Sequence, residues 1–86
     1  MDARTNLDDL AAAQVLAMLG TRDAGATLCP SEVARALAGT RGDWRACMGK
    51  VHAAVDRLLG AGRVVLSWQG SRLKERRGPY RIGRAP

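Results

Sequence analysis

The sequence predicts an α+β fold of the winged helix-turn-helix type, with three helices followed by a C-terminal β-hairpin wing. Two observations lead to this prediction. First, apolar residues recur at helical spacing in three segments. Second, the third of these segments is followed by a β-branched strand, a basic stretch and another short strand. The order helix, very short strand, helix, helix, hairpin is that of a helix-turn-helix motif with an appended hairpin.

The first helix is predicted from Leu7 to Gly20, where glycine is a natural stop. Thr5 or Asn6 can cap its N-terminus, and acidic residues in the first turn favour the positive end of the helix dipole. Residues 27–28 then form a very short strand.

The second helix is predicted to begin with Pro30 at its first helical position and to end at Gly39. Cys29 or Ser31 is the capping residue. If Cys29 takes that place, the carboxylate of Glu32 stands three residues later, where it can accept hydrogen bonds from free backbone N–H groups.

The third helix is predicted to start after Asp43, which caps it, and to run to about Gly60. Its apolar residues fall within an arc of about 120° at ~100° per residue, which predicts a core-facing side. We expect a single core that contains Trp44, Val51, Val55 and Leu58 of this helix together with Leu16, Leu37 and Val65.

The wing is predicted to be a hairpin with a long basic loop. Residues 64–68 are β-branched or aromatic and favour a strand, and residues 79–82 alternate as a returning strand would. Residues 69–78 are predicted to be the loop, and residues 83–86 a tail. The whole chain, residues 1–86, is interpreted as one domain with a core over about 5–84.

Composition excludes several classes of protein. The chain has 86 residues, 47% of them hydrophobic, which is ordinary for a globular domain and argues against wholesale disorder. No window approaches the ~18 consecutive apolar residues of a membrane span, and the acidic N-terminus does not resemble a signal peptide. We therefore expect a cytoplasmic protein that does not bind membranes.

The positive charge lies in the C-terminal half. Residues 44–86 carry ten Arg or Lys against two acidic residues, whereas residues 1–43 carry four against six. A basic field on one side of a small protein attracts polyanions, nucleic acid above all. In a winged helix, the third helix enters the major groove and the wing contacts phosphate or the minor groove. The expected DNA-binding residues are Arg41, Arg45, Gly49, Lys50, His52, Arg72, Lys74, Arg76 and Arg77.

No catalytic or metal-binding arrangement is evident. His52 has no nucleophile and acid partner in a recognisable pattern, and the glycine-rich stretches match no phosphate loop. A zinc site from Cys29, Cys47 and His52 would lack a fourth ligand at the usual spacing. We expect two reduced cysteines, no metal, no cofactor and no enzymatic activity.

Three motifs carry a resemblance to a known family. The sequence CPSEVAR starts the second helix at residues 29–35, DWR opens the third at 43–45, and RGPYR closes the hairpin at 77–81. Over roughly residues 13–84, the chain resembles a family of small bacterial winged-helix domains of unknown function. The resemblance implies the fold and supplies no activity, substrate or catalytic residue.

The residues favour a protein that binds double-stranded DNA, and a regulator of transcription is the role we expect. The alternative is a winged-helix module that binds another protein or a second copy of itself, since many folds host unrelated functions. A small accessory subunit of an enzyme is a third reading. A continuous positive surface over the third helix and the wing favours DNA, whereas an apolar patch around Trp68 and Leu73 favours a protein partner.

Overall fold

The computed structural model of the chain describes residues 7–86, which form three helices and a four-stranded antiparallel sheet. This is an α+β fold, and its helix-then-hairpin layout is compatible with a winged helix. None of the helices in residues 7–86 has the length and apolar character that crossing a bilayer requires. The elements are α1 (Leu7–Gly20), β1 (Thr27–Leu28), α2 (Pro30–Ala38), α3 (Trp44–Gly60), β2 (Val64–Trp68), β3 (Ser71–Leu73) and β4 (Arg81–Arg84).

The helix starts follow from local capping. Cys29 is the N-cap of α2, and its backbone N–H donates to Glu32 Oε1 at 2.8 Å, as the spacing predicts. Asp43 caps α3 and accepts a hydrogen bond from the N–H of Arg45 at 3.1 Å. The predicted caps of the first helix, residues 5–6, lie outside the described residues.

The segment predicted as one long loop contains a strand. Residues 69–78 include β3, which pairs with β2 through the register Leu66↔Leu73 and Trp68↔Ser71. The two residues between the strands, Gln69 and Gly70, have φ of 52° and 83°, and two positive φ values are what a type I′ hairpin turn requires. The hairpin therefore turns tightly at its tip.

The last strand, β4, spans Arg81–Arg84 and so lies two residues later in the chain than the predicted strand at 79–82. Half of the predicted tail, residues 83–84, therefore belongs to the strand. The sheet has the order β1-β4-β2-β3. Arg84 donates to the carbonyl oxygen of Leu19, in the last turn of α1, at 2.6 Å and to that of Arg22, in the turn after it, at 2.8 Å. This end of the chain is thereby held against α1.

The helices and the sheet share one cluster of buried residues. Val51 and Val55 are fully buried and Leu58 is 7% exposed, which confirms the predicted core side of α3. The cluster consists of Ala11, Ala12, Val15, Leu19, Leu28, Val33, Ala34, Val51, Ala54, Val55, Leu58, Val64, Leu66, Tyr80 and Ile82.

The other predicted core residues are only half-buried. The prediction that the side chain of Val65 faces the core is wrong. Side chains alternate along a strand, and Val64 and Leu66 lie on the core side of β2. Val65 instead lies on the opposite face beside Gly83. The remaining three predicted core residues pack against the edge of the buried cluster: Leu16, Leu37 and Trp44.

Residues 74–80, here called the crossing segment, connect β3 to β4. Because β3 and β4 flank β2 on opposite sides, this segment has to pass across β2. Its contacts with Asp56 and His52 place it on the side that α3 covers. The crossing segment is therefore packed against α3.

Candidate nucleic-acid interface

The exposed face of α3 begins with a basic and sterically open stretch. Arg45, Gly49 and Lys50 are all exposed, as predicted for residues that approach DNA. A Cβ at Gly49 would meet no heavy atom within 4 Å, so the face has room for a close neighbour. The surface around Gly49 is therefore not covered by other described parts of the chain.

The second half of the same face is joined to the crossing segment by an ion pair. Arg76 donates from Nε to Asp56 Oδ1 at 3.0 Å and from Nη2 to Oδ2 at 3.1 Å. This two-point contact raises the pKa of the guanidinium above its ordinary value. The negative charge of Asp56, which by itself would repel DNA, is thereby neutralised within the fold.

A second contact fixes the crossing segment one helical turn earlier. His52 Nδ1 lies 2.7 Å from the hydroxyl oxygen of Tyr80, whose side chain belongs to the core. Burial lowers the pKa of His52, and the nearby Arg76 lowers it further. Burial also raises the pKa of Tyr80. His52 is half-buried and its Nδ1 contacts Tyr80, so this side chain positions the crossing segment against α3.

The remaining predicted wing cations are exposed. Arg72 lies on β3 opposite Ser67, and Lys74 is the first residue of the crossing segment. Neither has a carboxylate within ion-pair distance in residues 7–86. Arg77 Nη2 lies 3.9 Å from Glu75 Oε2, but both side chains are more than 70% exposed. An ion pair this exposed adds little stability. These cations remain available to an external anion.

The N-terminal end of α3 holds two guanidinium groups against one indole ring. The guanidinium carbons of Arg35 and Arg45 each lie 4.5 Å from the centroid of the Trp44 ring. Arg45 was predicted to lie at the interface. Arg35, in the last turn of α2, was missed, since only the packing of α2 against α3 brings it to Trp44.

The turn between α2 and α3 is short and sterically tight. A Cβ at Gly42 would collide with the carbonyl oxygen of Ala38, so only glycine lets the chain pass this close to the end of α2. Gly39 adopts a φ of 74°, which also favours glycine. Arg41 projects from this turn and is exposed, next to the helix end that carries Trp44.

The ion pairs of residues 7–86 leave one set of cations without a carboxylate partner. The pairs are Arg22–Glu32, Arg57–Asp9, Arg76–Asp56, Arg77–Glu75 and Arg81–Glu32. Within the same residues, the cations with no carboxylate within 4.0 Å are Arg35, Arg41, Arg45, Lys50, Arg63, Arg72, Lys74 and Arg84. All predicted cationic contacts except Arg76 and Arg77 therefore belong to the unneutralised set.

The start of α2 gathers a polar cluster with a structural role. Cys29 Sγ lies 3.1 Å from Ser31 Oγ, and this hydrogen bond lowers the pKa of the thiol. The backbone N–H of Cys29 and the guanidinium of Arg22 lower the pKa of Glu32. Both cysteines are free thiols, and Cys47 lies on α3 at the edge of the core. No three His, Cys, Asp or Glu residues converge as metal ligands within the described part of the chain.

Comparison with known proteins identifies the family and no activity. No curated protein matches this chain. The profile of one family, described as a protein of unknown function, DUF3253, matches residues 8–85, which is nearly the whole chain. The chain therefore belongs to the DUF3253 family of proteins of unknown function.

Proposed function

We propose that the protein binds double-stranded DNA through the exposed face of α3 and the basic residues of β3 and the crossing segment, and that it acts as a regulator of transcription in the cytoplasm. One observation carries this proposal, the ion pair between Asp56 and Arg76. It brings the basic segment against the exposed face of α3 and neutralises the carboxylate that would oppose DNA there. Helix and segment thus offer a joint surface to a polyanion.

The unpaired cations support the same conclusion. The charges of Arg41, Arg45, Lys50, Arg72 and Lys74 are not neutralised by a carboxylate within residues 7–86. Like charges left together in this way weaken the folded state. A duplex supplies the missing anions and releases its own counterions when it does so.

A protein-binding module remains the alternative, and two apolar features favour it. Trp68 is 39% exposed near the tip of the β2–β3 hairpin. A groove of about 720 Å³ runs past Leu59, Val64 and Leu73, with Arg72 also on its lining. Only one large aromatic side chain is exposed among the described residues, so we prefer DNA as the partner.

A gel-shift titration on a duplex of random sequence, at low and at high salt, tests the proposal. The unmodified protein should bind at low salt and weaken steeply as salt rises. The double variant Arg72→Gln, Lys74→Gln should lower the slope of log affinity against log salt by up to ~0.9 for each phosphate that is no longer neutralised. Removing Arg77 as well should lower it further, because its side chain is 81% exposed and free to reach a phosphate.

Arg63→Gln is the matched control for these variants, because Arg63 is also exposed and has no carboxylate partner within residues 7–86 but lies beyond the far end of α3. It should bind as the unmodified protein does. If the unmodified protein does not bind duplex at low salt, the proposal fails and the protein-binding alternative replaces it.

A further inference from the structure

We propose that Arg35 and Arg45, stacked on Trp44, form a clamp for the phosphate backbone of DNA. This inference rests on the proposed function and assigns a specific task to one end of α3. It also decides between two roles open to Arg45, because a base-reading arginine and a phosphate-holding arginine require different surroundings.

The indole ring holds the two guanidinium groups in place. Each guanidinium carbon is 4.5 Å from the ring centroid, within the distance at which an arginine is attracted to the electron-rich face of an aromatic ring. Trp44 is itself packed against the hydrophobic core and is thereby kept in position. The attraction to the ring restricts two long side chains that would otherwise sample many rotamers, which lowers the entropic cost of binding.

No carboxylate of the described residues neutralises this pair of charges. The nearest acidic residue along the chain is Asp43, and its Oδ1 accepts the backbone N–H of Arg45 at 3.1 Å as a helix cap. It forms no ion pair with either guanidinium. Two cations held at one ring without a carboxylate partner raise the positive potential at this end of α3, which favours the approach of an anion.

The kind of anion follows from the donors and their setting. Guanidinium groups present paired N–H donors that match the oxygens of a phosphate. Both residues are exposed at the surface, so a small free anion would stay largely hydrated there. A phosphate carried by a duplex is held there by the other contacts of α3 and β3 as well. A backbone phosphate is therefore the ligand that fits.

Stacking on Trp44 also argues against base reading by Arg45. An arginine that reads guanine extends its guanidinium to the O6 and N7 atoms in the major groove. Arg45 instead lies over a ring in the first turn of α3, next to the turn from α2. In this position its donors serve sequence-independent contacts, which set the register of the protein on the duplex.

The test compares Arg35→Gln and Arg45→Gln with the unmodified protein on fluorescein-labelled duplexes of several sequences, over a series of salt concentrations. Each variant should bind every duplex roughly tenfold more weakly, as expected when one charged hydrogen-bonding group is removed. The slope of log affinity against log salt should fall by ~0.9 for each phosphate that is no longer neutralised. Circular dichroism checks that each variant remains folded.

Arg63→Gln again serves as the control, since the 17 residues of α3 place it about 25 Å from the clamp. A further readout uses the chain with Trp68→Phe, in which Trp44 is the only tryptophan. Its emission should change when duplex is added, and Arg35→Gln should move that change to a roughly tenfold higher duplex concentration.

The outcomes separate the two proposals. If the unmodified protein binds duplex and Arg35→Gln behaves like Arg63→Gln, the clamp is wrong and the DNA-binding function stands. Weaker binding by Arg45→Gln that is confined to one preferred sequence also overturns the clamp, because Arg45 would then read a base. If the unmodified protein binds no duplex at low salt, both proposals fail.

Discussion

Arg76 holds both carboxylate oxygens of Asp56, at 3.0 and 3.1 Å, across twenty residues of sequence. The contact ties the crossing segment to α3 and turns two oppositely charged residues into a neutral part of the surface. Tyr80 and His52 reinforce it one turn earlier on the same helix. Helix α3 and the crossing segment are thus one structural unit.

The first prediction concerns this ion pair. Asp56→Asn and Arg76→Gln should each lower the free energy of unfolding, and the two effects should not add. The side chains are 49% and 35% exposed, so solvent screening limits the coupling energy to about 0.5–1 kcal/mol. Urea denaturation of the two single variants and the double variant measures it. Fully additive effects would show that the contact does not hold the segment.

A second prediction concerns pH. Because the pKa of His52 is lowered on folding, the unfolded chain binds a proton more readily than the folded chain. The stability from this group is therefore complete above about pH 6.5, the ordinary histidine value, and is lost as pH falls from there toward the lowered value. Protonation would also place a positive charge beside Arg76.

Thermal melts between pH 7.5 and 5 measure the effect. The unmodified protein should lose more stability over this interval than His52→Gln, which has no proton to bind. The interval stays above the ordinary range of carboxyl groups, whose titration would otherwise add to the change. An equal loss in both proteins would assign the pH dependence to other groups.

The third prediction concerns the core. Val55 is fully buried among apolar side chains, so Val55→Asp places an unpaired carboxylate where neither water nor a cation can reach it. A domain of this size has only ~5–15 kcal/mol of stability, and we expect the variant to be unfolded. Ala53→Asp, on the exposed side of the same helix, is the control and should melt cooperatively. A cooperative melt of Val55→Asp would contradict the packing of α3.

A fourth prediction concerns the two thiols. Intact mass and metal analysis of protein purified in air should show both cysteines reduced and no bound zinc. Since the hydrogen bond with Ser31 lowers the pKa of Cys29, iodoacetamide should modify Cys29 faster at neutral pH than it does in the variant Ser31→Ala. Peptide mapping separates this reaction from that of Cys47. Stoichiometric zinc, or equal rates with and without Ser31, would contradict these assignments.

The three helices could be predicted from the sequence because apolar periodicity and capping residues are local signals. Strand β3 could not be predicted in this way, because Ser71 and Arg72 are polar and show no apolar alternation. Two features accompany this strand: the tight turn at Gln69–Gly70 and the pairing of Leu73 with Leu66. The predicted burial of Val65 was wrong because a strand has a period of two, so an error of one residue reverses the face.

The sequence was sufficient to predict most of the residues of the candidate interface, but only part of the contacts that those residues make. Exposed positions such as Gly49 and Lys50 follow from the helical period, which places them opposite the core. The roles of Arg35 and Asp56 depend on partners supplied by other elements, Trp44 across a turn and Arg76 from the crossing segment. Sequence spacing does not encode such contacts, because they arise from the angle between helices and the path of the chain across the sheet.

Chemical-shift mapping of ¹⁵N-labelled protein with duplex DNA tests the central claim most directly, because it reports at the same time whether DNA binds and where. We predict that addition of duplex shifts the amide signals of residues 41–53 and 71–77, while those around Leu19 and Arg63 stay unchanged. Absence of any shift at low salt, or shifts confined to the groove at Leu59, Val64 and Leu73, would contradict it.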